Sequence, residues 1–329
     1  MAKNLLEVKD LTTRFRLEDG VLTAVDHVSF HVEEGETLGI VGESGCGKSV
    51  TSYSILNLVA SPGRIEEGEI LFNGTDLRKI SAREMRRIRG NDIAMIFQEP
   101  MTSLNPVITV GEQISEALRL HQHLNRSEAK KRSIELLRMV NIPLPEQRFK
   151  EYPHQLSGGM RQRVVIAMAL ACSPKLLICD EPTTALDVTV QAQILRLIRR
   201  LQKKMNMSVM LITHDLAVIS EIADRVIVMY AGRIVEENDG ADIFQHPLHP
   251  YTQALLKSIP TAQKVGEPLY TIEGMVPNLL KKQTGCLFAP RCEYATDHCF
   301  QEEPQLQTLR CGNGKVRCFR YQKDEEELQ

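Results

Sequence analysis

The sequence lacks long apolar runs: no stretch approaches the roughly 18 uninterrupted apolar residues that indicate a membrane-spanning helix. It also lacks a strong charge of either sign, because its formal net charge is −2. The chain as a whole is therefore not a basic protein built to bind polyanions. The N-terminal residues carry no apolar core of a signal peptide, so we expect a cytosolic chain whose thiols stay reduced.

The composition is that of an ordinary globular protein. Apolar residues make up 43% of the 329 residues and charged residues 25%, which is enough to build a full core. This length predicts about two domains. After about residue 260 the regular pattern gives way to a stretch rich in Pro, Gly and polar residues. We therefore predict one domain over residues 1–260 and a small C-terminal extension over residues 261–329.

Apolar patterning indicates the elements of the larger domain. The runs TLGIV, KLLICD and SVMLIT are typical of buried parallel strands, whereas residues 188–205 have the spacing of a helix. Strands that alternate with helices predict an α/β fold with a mainly parallel sheet. Two further helices are predicted at 111–124 and 126–142. They fall within a helical subdomain at about residues 99–155 that is inserted into the sheet domain.

A phosphate-binding loop follows the first of these strands. The sequence GESGCGKS has the spacing G-x-x-x-x-G-K-[ST] between a strand and a helix. Glycines allow a tight turn whose backbone N–H groups converge on phosphate oxygens, and the helix N-terminus adds positive potential. The lysine of such a loop reaches the β- and γ-phosphates, and the serine gives its hydroxyl to Mg²⁺. The predicted nucleotide-binding residues here are Gly42, Glu43, Ser44, Gly45, Cys46, Gly47, Lys48, Ser49 and Val50.

An acidic pair ends the strand in KLLICDEP. Asp180 is placed to hold Mg²⁺ through water. Glu181 would face the γ-phosphate, where a carboxylate can orient or deprotonate the attacking water. An acidic pair that merely caps a strand is a common alternative, and the phosphate loop is what favours the catalytic interpretation.

A second helix start suited to anions lies in LSGGMRQR, residues 156–163. Ser157 is predicted to be the N-cap, and two glycines open the helix. One nucleotide does not need two such helix starts. We therefore predict that Ser157, Gly158 and Gly159 face the γ-phosphate of a nucleotide held by a second subunit.

These motifs, together with Gln98, ALD and ITHD, resemble an ABC-transporter ATPase in their order and spacing. The resemblance implies a P-loop NTPase core of the RecA-like type, with ATP and Mg²⁺ bound between two ATPase subunits. It implies that Phe15 stacks on adenine and that Gln98 links Mg²⁺ and the attacking water to the membrane partner. It also implies that Leu186 and Asp187 couple the two sites and that His214 contacts the γ-phosphate.

The same resemblance completes the predicted catalytic machinery. The residues that would act on the attacking water and the γ-phosphate are Glu181, His214 and Gln98. The predicted Mg²⁺ ligands are Ser49, Gln98 and Asp180. Cys46 stands where such loops often carry serine, and we expect this change to be tolerated because the position acts through its backbone.

Two longer stretches resemble a narrower group. FQEPMTSLNP, residues 97–106, and HPLHPYTQALLKSIP, residues 246–260, are similar to stretches of the oligopeptide, dipeptide and nickel importer ATPases. They most resemble the D-type ATP-binding subunit of peptide permeases. The resemblance implies an ATPase at the cytoplasmic face of the inner or plasma membrane that powers import of di- or oligopeptides.

The implied partners follow from that group. They are a second ATPase subunit, either a copy or a paralogue, two transmembrane permease subunits and, indirectly, an extracytoplasmic peptide-binding protein. Nucleic acid is not among them. The alternative is an ABC ATPase that acts on nucleic acid in repair or translation, against which a single cassette and a near-neutral charge argue.

Five cysteines follow residue 285: Cys286, Cys292, Cys299, Cys311 and Cys318. Buried free thiols are one alternative, and a cytosolic disulfide is disfavoured. Four thiolates suit either tetrahedral Zn²⁺ or a [4Fe–4S] cluster, and gaps wider than C-x₂₋₄-C argue weakly for the cluster. The resemblance to peptide-permease ATPases implies a [4Fe–4S] cluster on Cys286, Cys292, Cys299 and Cys318, with Cys311 as a spare. Because the phosphate loop precedes the boundary at residue 260, ATP binding is expected to survive substitution of these cysteines.

Overall fold

A computed structural model describes residues 3–98, 103–183, 187–220, 222–259, 270–280, 283–309 and 314–322. Two residues of the sequence predictions, Leu186 and Cys311, lie outside these ranges. The strands are, in chain order, β1 (Asn4–Leu17), β2 (Gly20–Glu33), β3 (Thr37–Val41), β4 (Gly63–Phe72), β5 (Thr75–Asp76), β6 (Ile93–Ile96), β7 (Leu176–Asp180), β8 (Ser208–Thr213), β9 (Arg225–Tyr230), β10 (Arg233–Asp239), β11 (Gln307–Thr308) and β12 (Lys315–Val316). The helices are α1 (Lys48–Ile55), α2 (Ala82–Ile88), α3 (Val110–Gln122), α4 (Arg126–Met139), α5 (Pro145–Arg148), α6 (Gly158–Ala169), α7 (Val188–Met205), α8 (Leu216–Ser220), α9 (Gly240–Gln245), α10 (Pro250–Lys257) and α11 (Asp297–Gln301).

The chain divides into two compact units. The first comprises Met1–Leu5, Val32–Glu36 and Lys79–Leu211. The second comprises Leu6–His31, Thr37–Arg78 and Ile212–Gln329. The phosphate loop therefore shares the second unit with the cysteines that follow residue 285, and residue 260, where the sequence pattern changes, falls inside that unit.

An antiparallel sheet with the strand order β2-β1-β4-β5 belongs mainly to the second unit. β1 pairs with β4 through registers such as Leu6↔Phe72 and Val8↔Ile70. Alternate residues of a strand point to the same face, and Leu6, Val8 and Ile70 are at most 1% exposed. β1 and β2 follow each other directly in the chain, with only Glu18 and Asp19 between them.

The other strands of the second unit pair outward from β3 in the order β3-β9-β10-β12-β11. All five residues of β3 are buried, and it runs parallel to β9 with Val41 opposite Val228. β9 and β10 form an antiparallel hairpin around Gly232. A strand buried on both faces reads as a continuous apolar run, which is why TLGIV predicts β3 correctly. The strand ends at Val41, directly before the phosphate loop.

Three strands, β6, β7 and β8, of which all but the end of β8 belongs to the first unit, lie side by side in the order β8-β7-β6. Every residue of β7 and β8 is buried, which confirms both as the predicted internal strands. β6 runs parallel to β7, and Ile96 lies opposite Cys179. Positions 98 and 181, each two residues beyond this pair, therefore leave the sheet at the same edge.

Helices α3 and α4 confirm the two helices predicted at 111–124 and 126–142. α4 begins at a capping box, in which the Asn125 side chain and Glu128 satisfy each other's backbone N–H groups. α3 buries Val110, Ile114 and Leu118, which the helical repeat places on one face.

Helix α7 confirms the helix predicted at residues 188–205. Ile194, Leu197, Ile198 and Leu201 lie on its buried face, whereas Val190, one turn before Ile194, is only half-buried. Lys203 and Lys204 lie in the last turn of the helix. Their positive charges there interact favourably with the partial negative charge of the helix C-terminus. Among the described residues, no helix is both long and apolar enough to cross a membrane.

The segment after residue 285 contains short elements that the sequence pattern does not predict. β12 pairs with β10, Val316 lying opposite Glu236, and β11 pairs in turn with β12. Two-residue strands are too short to show a periodicity, so only their pairing partners define them. This pairing extends the sheet of the second unit with residues from the C-terminal extension.

Candidate active site

The phosphate loop, residues 42–49, connects β3 to α1. Gly47 is the N-cap of α1 with φ +101°, and a Cβ at this position would lie 2.3 Å from the carbonyl oxygen of Ala24. Glycine is required here, because both the backbone conformation and the lack of space exclude a side chain. Gly45 has φ +80°, but a Cβ there would meet nothing within 4 Å. The loop is thus tightly packed at its helical end and open at Gly45.

The Lys48 side chain folds back onto the loop. Its Nζ donates to the carbonyl oxygens of Gly42, at 2.7 Å, and Glu43, at 3.0 Å. Lys48 is 5% exposed, so these contacts fix its ammonium group at the loop. A positive charge held beside converging backbone groups is placed to meet phosphate oxygens.

Cys46 is buried inside the same loop. Its Sγ lies 3.8 Å from Nζ of Lys48, and burial raises the pKa of the thiol, which disfavours the thiolate. The carbonyl of Cys46 accepts a hydrogen bond of 3.0 Å from the N–H of Gly232. This contact uses the backbone, which agrees with the expectation that the side chain at this position can change.

Two side chains from the C-terminal part of the second unit hold Glu43. The N–H of Glu43 donates to the hydroxyl of Tyr251 over 2.8 Å. Nη1 and Nη2 of Arg291 donate to its carboxylate oxygens, at 2.7 Å to Oε2 and 3.0 Å to Oε1. The Arg291 side chain is 5% exposed, and the ion pair raises the pKa of Arg291. A bidentate, charge-assisted pair of this kind is among the stronger hydrogen-bonding arrangements in proteins.

His249, two residues before Tyr251 in the stretch HPLHPY, helps to hold Tyr251 in place. Nδ1 of His249 accepts from the N–H of Tyr251 at 3.0 Å and thereby caps α10. Burial lowers the pKa of His249 to about 3, so the ring is neutral and Nδ1 can act as an acceptor. The backbone N–H of His249 donates to Oε2 of Glu236 at 2.8 Å. The ring of Tyr251 packs 4.7 Å from that of Tyr230 and 5.4 Å from that of Phe288, measured between centroids.

The acidic pair ends β7 in the first unit. Asp180 is fully buried, and Glu181 follows it with φ +45°, a left-handed conformation that is uncommon for residues other than glycine. Nε2 of Gln98 donates to Oε2 of Glu181 at 3.2 Å. The carbonyl of Pro182 accepts from Nε2 of Gln162 at 2.6 Å, which ties this turn to α6. The structure therefore brings together two of the predicted catalytic residues, Gln98 and Glu181. The left-handed backbone of Glu181 is of the kind that clusters at functional sites.

The predicted second helix start is also formed. Ser157 is the N-cap of α6, and its Oγ accepts from the N–H of Met160 at 3.4 Å. A Cβ on Gly159 would lie 3.2 Å from Cγ1 of Val190, so the first turns of α6 and α7 are close neighbours. Asp187 caps α7, since its Oδ1 accepts from the N–H of Val190 at 3.0 Å. Ser157, predicted to face the second subunit's nucleotide, and Asp187, predicted to couple the two sites, thus cap adjacent helices.

Two further predicted contacts, Phe15 and His214, belong to the second unit. Phe15 lies on β1 opposite Gly63, and a Cβ on Gly63 would fall 2.5 Å from Cε1 of its ring. Phe15 is half-buried and covers Gly63 with its ring. His214 directly follows β8 and is exposed.

The four predicted cluster ligands line one cavity of about 250 Å³ in the second unit. They are joined there by the rings of Phe288, Phe319 and His249, and the four cysteines are Cys286, Cys292, Cys299 and Cys318. The N–H of Cys286 donates to the carbonyl of Cys299 at 2.7 Å, which closes the loop between them. Burial raises the pKa of the Cys286 thiol to about 11.

Comparison with known proteins identifies the family. Residues 25–184 match the ABC transporter family, and residues 235–299 match the oligopeptide/dipeptide transporter C-terminal region. Over 314 residues the chain is 55% identical to the dipeptide transport ATP-binding protein DppD of Haemophilus influenzae, with 95% of this chain and 94% of that protein covered. The chain belongs to the ABC-transporter ATP-binding proteins. The oligopeptide transport ATP-binding protein AppD of Bacillus subtilis is 54% identical over 321 residues, covering 97% and 98% of the two chains.

A solved structure confirms the cassette fold of this ABC ATPase. The dimeric ATP-binding cassette MJ0796, in a post-hydrolysis state bound to ADP and Pi, superimposes with a TM-score of 0.64 at 30% identity. The match covers 71% of this chain and 98% of that one. The mixed α/β ABC ATPase fold and the binding and hydrolysis of ATP, as predicted from the motifs, are thereby confirmed.

Sequence analysis of this ABC ATPase missed the residues that hold Glu43. Tyr251 lies within HPLHPY, which served only as a mark of resemblance, and Arg291 directly precedes Cys292. Arg291 and Glu43 are separated by 248 residues, and no periodicity or spacing links positions that far apart. The one available signal was that HPLHPY places an aromatic residue, Tyr251, at the start of a helix.

Proposed function

We propose that this ABC ATPase binds and hydrolyses ATP to power the import of di- or oligopeptides through a membrane transporter. The observation that carries the proposal is 55% identity to a dipeptide transport ATP-binding protein along 95% of the chain. The match of residues 235–299 to the oligopeptide/dipeptide transporter C-terminal region supports the same substrate class. Relatives of this kind favour the transporter over the nucleic-acid alternative.

The phosphate loop would hold the nucleotide. Backbone N–H groups of the loop and the Lys48 ammonium would bind phosphate oxygens, and Phe15 would stack on adenine. The residues that would hold Mg²⁺, which offsets the charge of the phosphates, are Ser49, Gln98 and Asp180. Support for the role of Lys48 comes from its contacts to the loop carbonyls of Gly42 and Glu43.

Hydrolysis would rest on Glu181. Its carboxylate would orient the attacking water or accept its proton, and His214 would contact the γ-phosphate. The hydrogen bond from Gln98 supports this role, because it helps to fix the orientation of the carboxylate. The left-handed backbone of Glu181 adds support, since sparsely populated backbone conformations cluster at functional sites.

A second ATPase subunit, either a copy or a paralogue, would complete each site. Ser157, Gly158 and Gly159 would face the γ-phosphate that the other subunit binds, and Asp187 would lie beside them. The N-terminus of α6 carries partial positive charge, which suits a phosphate. The further partners are two transmembrane permease subunits and, indirectly, an extracytoplasmic peptide-binding protein, with the ATPase at the cytoplasmic face of the inner or plasma membrane.

The finer domain plan is part of the same proposal. The cassette would span residues 1–260, with a helical subdomain inserted at about residues 99–155, and residues 261–329 would form a Cys-rich C-terminal unit. Helices α3 and α4 support the subdomain, since Oγ of Ser115 and Oγ of Ser133 lie 2.9 Å apart in a buried contact between them. The cavity shared by four cysteines supports the Cys-rich unit.

We propose that the described cysteines hold a [4Fe–4S] cluster rather than a single Zn²⁺, and the spacing of their sulfurs supports this. A tetrahedral zinc site has Zn–S bonds of about 2.3 Å, which bring its sulfurs within about 3.8 Å of one another. Among the described residues, ligand atoms of three or more His, Cys, Asp or Glu side chains lie mutually within 4.8 Å only at Asp10, His27 and Glu67. No three of the four described thiols lie mutually that close, although all four line one cavity. A cluster with its own bridging sulfides separates its cysteine ligands further than a single Zn²⁺ does.

The residues that would hold the cluster are Cys286, Cys292, Cys299 and Cys318. When bound, the cluster would supply iron–thiolate bonds that cross-link a segment with little core of its own. The alternative ligand Cys311 lies outside the described residues.

The proposed function can be tested in cells that express the chain. Tagged protein purified from native membranes should bring with it two permease subunits and a second ATPase. Deletion should abolish uptake of a labelled dipeptide while leaving uptake of a labelled amino acid unchanged, and the Glu181→Gln variant should fail to restore it. Restoration of dipeptide uptake by Glu181→Gln, or co-purification with nucleic-acid enzymes instead of permeases, would contradict the proposal.

A further inference from the structure

We propose that Arg291 is a positioning residue for nucleotide binding, which ties the phosphate loop to the Cys-rich segment, residues 285–299. The proposal rests on the proposed function, because it concerns how the loop of this ATPase is held. Arg291 lies inside the Cys-rich segment, directly before Cys292. Its guanidinium donates hydrogen bonds to both carboxylate oxygens of Glu43. Two regions 248 residues apart therefore meet at the second residue of the phosphate loop.

Arg291 is fixed from several sides. Besides the two hydrogen bonds to Glu43, its Nε donates to the carbonyl of Glu273 at 3.1 Å. Nη2 donates to the carbonyl of Ile272 and Nη1 to the hydroxyl of Tyr230, each at 3.3 Å. A guanidinium held by so many acceptors cannot follow a displaced Glu43 without breaking other bonds, so it acts as a fixed anchor.

Glu43 in turn helps to hold the phosphate loop in its conformation. Its N–H is bound by Tyr251, and its carbonyl accepts from Nζ of Lys48 and, at 3.3 Å, from the N–H of Cys46. Both main-chain groups of Glu43 are thus engaged in the loop conformation. A shift of the Glu43 side chain would move the backbone and, with it, the groups proposed to bind phosphate.

Charge gives a second reason for the pair. Glu43 carries a negative charge on a loop proposed to bind a polyphosphate, and its side chain is 26% exposed. Arg291 neutralises that charge. Without Arg291, the carboxylate of Glu43 would repel a triphosphate bound at the loop. The pair therefore favours nucleotide binding both by holding the loop and by removing a repulsion.

The aromatic packing extends the connection to the cysteines. Arg291 lies over the ring of Tyr230, with its Cζ 5.8 Å from the centroid, and Tyr230 meets Phe288 edge-on at 5.3 Å. Phe288 and His249 also line the cavity shared by the four cysteines. Coupling between two sites is reciprocal, so ATP at the loop should also stabilise the Cys-rich segment.

The test compares ATP binding by the full chain carrying Arg291→Met with binding by the wild type. Titration with a fluorescent ATP analogue should show about tenfold weaker binding by the variant. Arg291→Lys keeps the charge but loses the bidentate fork, and its affinity should fall between the two. Adding Glu43→Gln to Arg291→Met should restore part of the affinity, because the unpaired negative charge is removed. In the assembled transporter, Arg291→Met should raise KM for ATP while kcat stays within about twofold.

Lys257→Met provides the matched control. Lys257 pairs with Glu293 of the same segment at 3.0 Å, but this exposed pair does not touch the phosphate loop. Its ATP affinity should match that of the wild type. Hydrogen exchange adds a readout of coupling: ATP should slow exchange in residues 285–299 of the wild type and of Lys257→Met but not of Arg291→Met.

The outcomes separate the two proposals. A wild-type chain that fails to bind ATP would contradict the proposed function and the role of Arg291 together. Wild-type affinity and wild-type ATP protection in Arg291→Met would overturn the role of Arg291 alone. If Arg291→Met does not fold, Arg291→Lys carries the test, and unchanged KM and unchanged protection in that variant would overturn the proposal.

Discussion

Nε2 of Gln98 donates a hydrogen bond of 3.2 Å to Oε2 of Glu181, across 83 residues of sequence. The contact follows from the parallel register of β6 and β7, in which Ile96 lies opposite Cys179. Each of the two residues stands two positions beyond that pair, at the edge where both strands end. The amide donor that follows β6 thereby helps to fix the carboxylate that follows β7.

Replacing Glu181 by Gln should leave ATP binding intact but lower kcat by at least about 100-fold, because the carboxylate that orients or deprotonates water is lost. Turnover is measured in the assembled transporter, and binding in the isolated chain. Gln98→Leu is the companion variant, since it keeps the Glu181 carboxylate and removes the amide that holds it and that is proposed to bind Mg²⁺. It should reduce kcat less than Glu181→Gln does, and a rate near the wild type in Glu181→Gln would remove Glu181 from this role.

Replacing Ser157 by Arg should block hydrolysis without weakening ATP binding by the isolated chain, because the helix start is proposed to serve the other subunit's nucleotide. The substitution also removes an N-cap, which costs about 1 kcal/mol of stability. Ser157→Ala removes the cap without adding bulk, and it should keep more hydrolysis than Ser157→Arg does. Loss of ATP binding by monomeric Ser157→Arg would show that the serine belongs to the nucleotide site of its own chain.

Two glycine variants in the phosphate loop should distinguish the cost of backbone strain from the cost of steric overlap. At Gly45 an added Cβ meets open space, so Gly45→Ala should cost only the left-handed strain of about 1–2 kcal/mol. At Gly47 the Cβ would overlap the carbonyl of Ala24, and the loop or β2 must move. We expect Gly47→Ala to lose ATP binding in a titration while Gly45→Ala retains it. Equal affinities of the two variants would contradict the packing described for Gly47.

Anaerobically purified protein should be brown and should contain iron and acid-labile sulfide, because thiolate-to-iron charge transfer absorbs visible light whereas Zn²⁺ is d¹⁰. Single Ser substitutions of Cys286, Cys292, Cys299 or Cys318 should bleach the colour, and Cys311→Ser should keep it. Stoichiometric zinc in a colourless protein would rule out the cluster. Colour that is lost with Cys311 but kept with Cys318 would exchange these two as ligands.

ATP binding by the same cysteine variants distinguishes two expectations. The boundary at residue 260 predicts that binding survives every substitution. The contact of Arg291 with Glu43 predicts that Cys292→Ser, which alters the residue beside Arg291, weakens binding. Titration of each variant with a fluorescent ATP analogue decides between them, with Cys311→Ser as the reference.

Several features of this molecule could be predicted from the sequence because they depend on local chemistry. The phosphate loop needs glycines, a lysine and a helix start within eight consecutive positions, so GESGCGKS predicts it without knowledge of the fold. Apolar runs predict β3, β7 and β8 because strands buried on both faces exclude polar residues. The apolar stripe of α7 and the N-cap at Ser157 are equally local, since both depend on neighbours within a turn or two of helix.

Contacts between distant positions were decided by the tertiary structure alone. Gln98 meets Glu181 through strand register, and Arg291 meets Glu43 through the path of the C-terminal segment. The sequence by itself determined which residues can bind phosphate, cap helices and fill the core, because those properties belong to side chains and their near neighbours. It left open which side chains hold the loop, because a hydrogen bond formed across 248 residues has no spacing to detect.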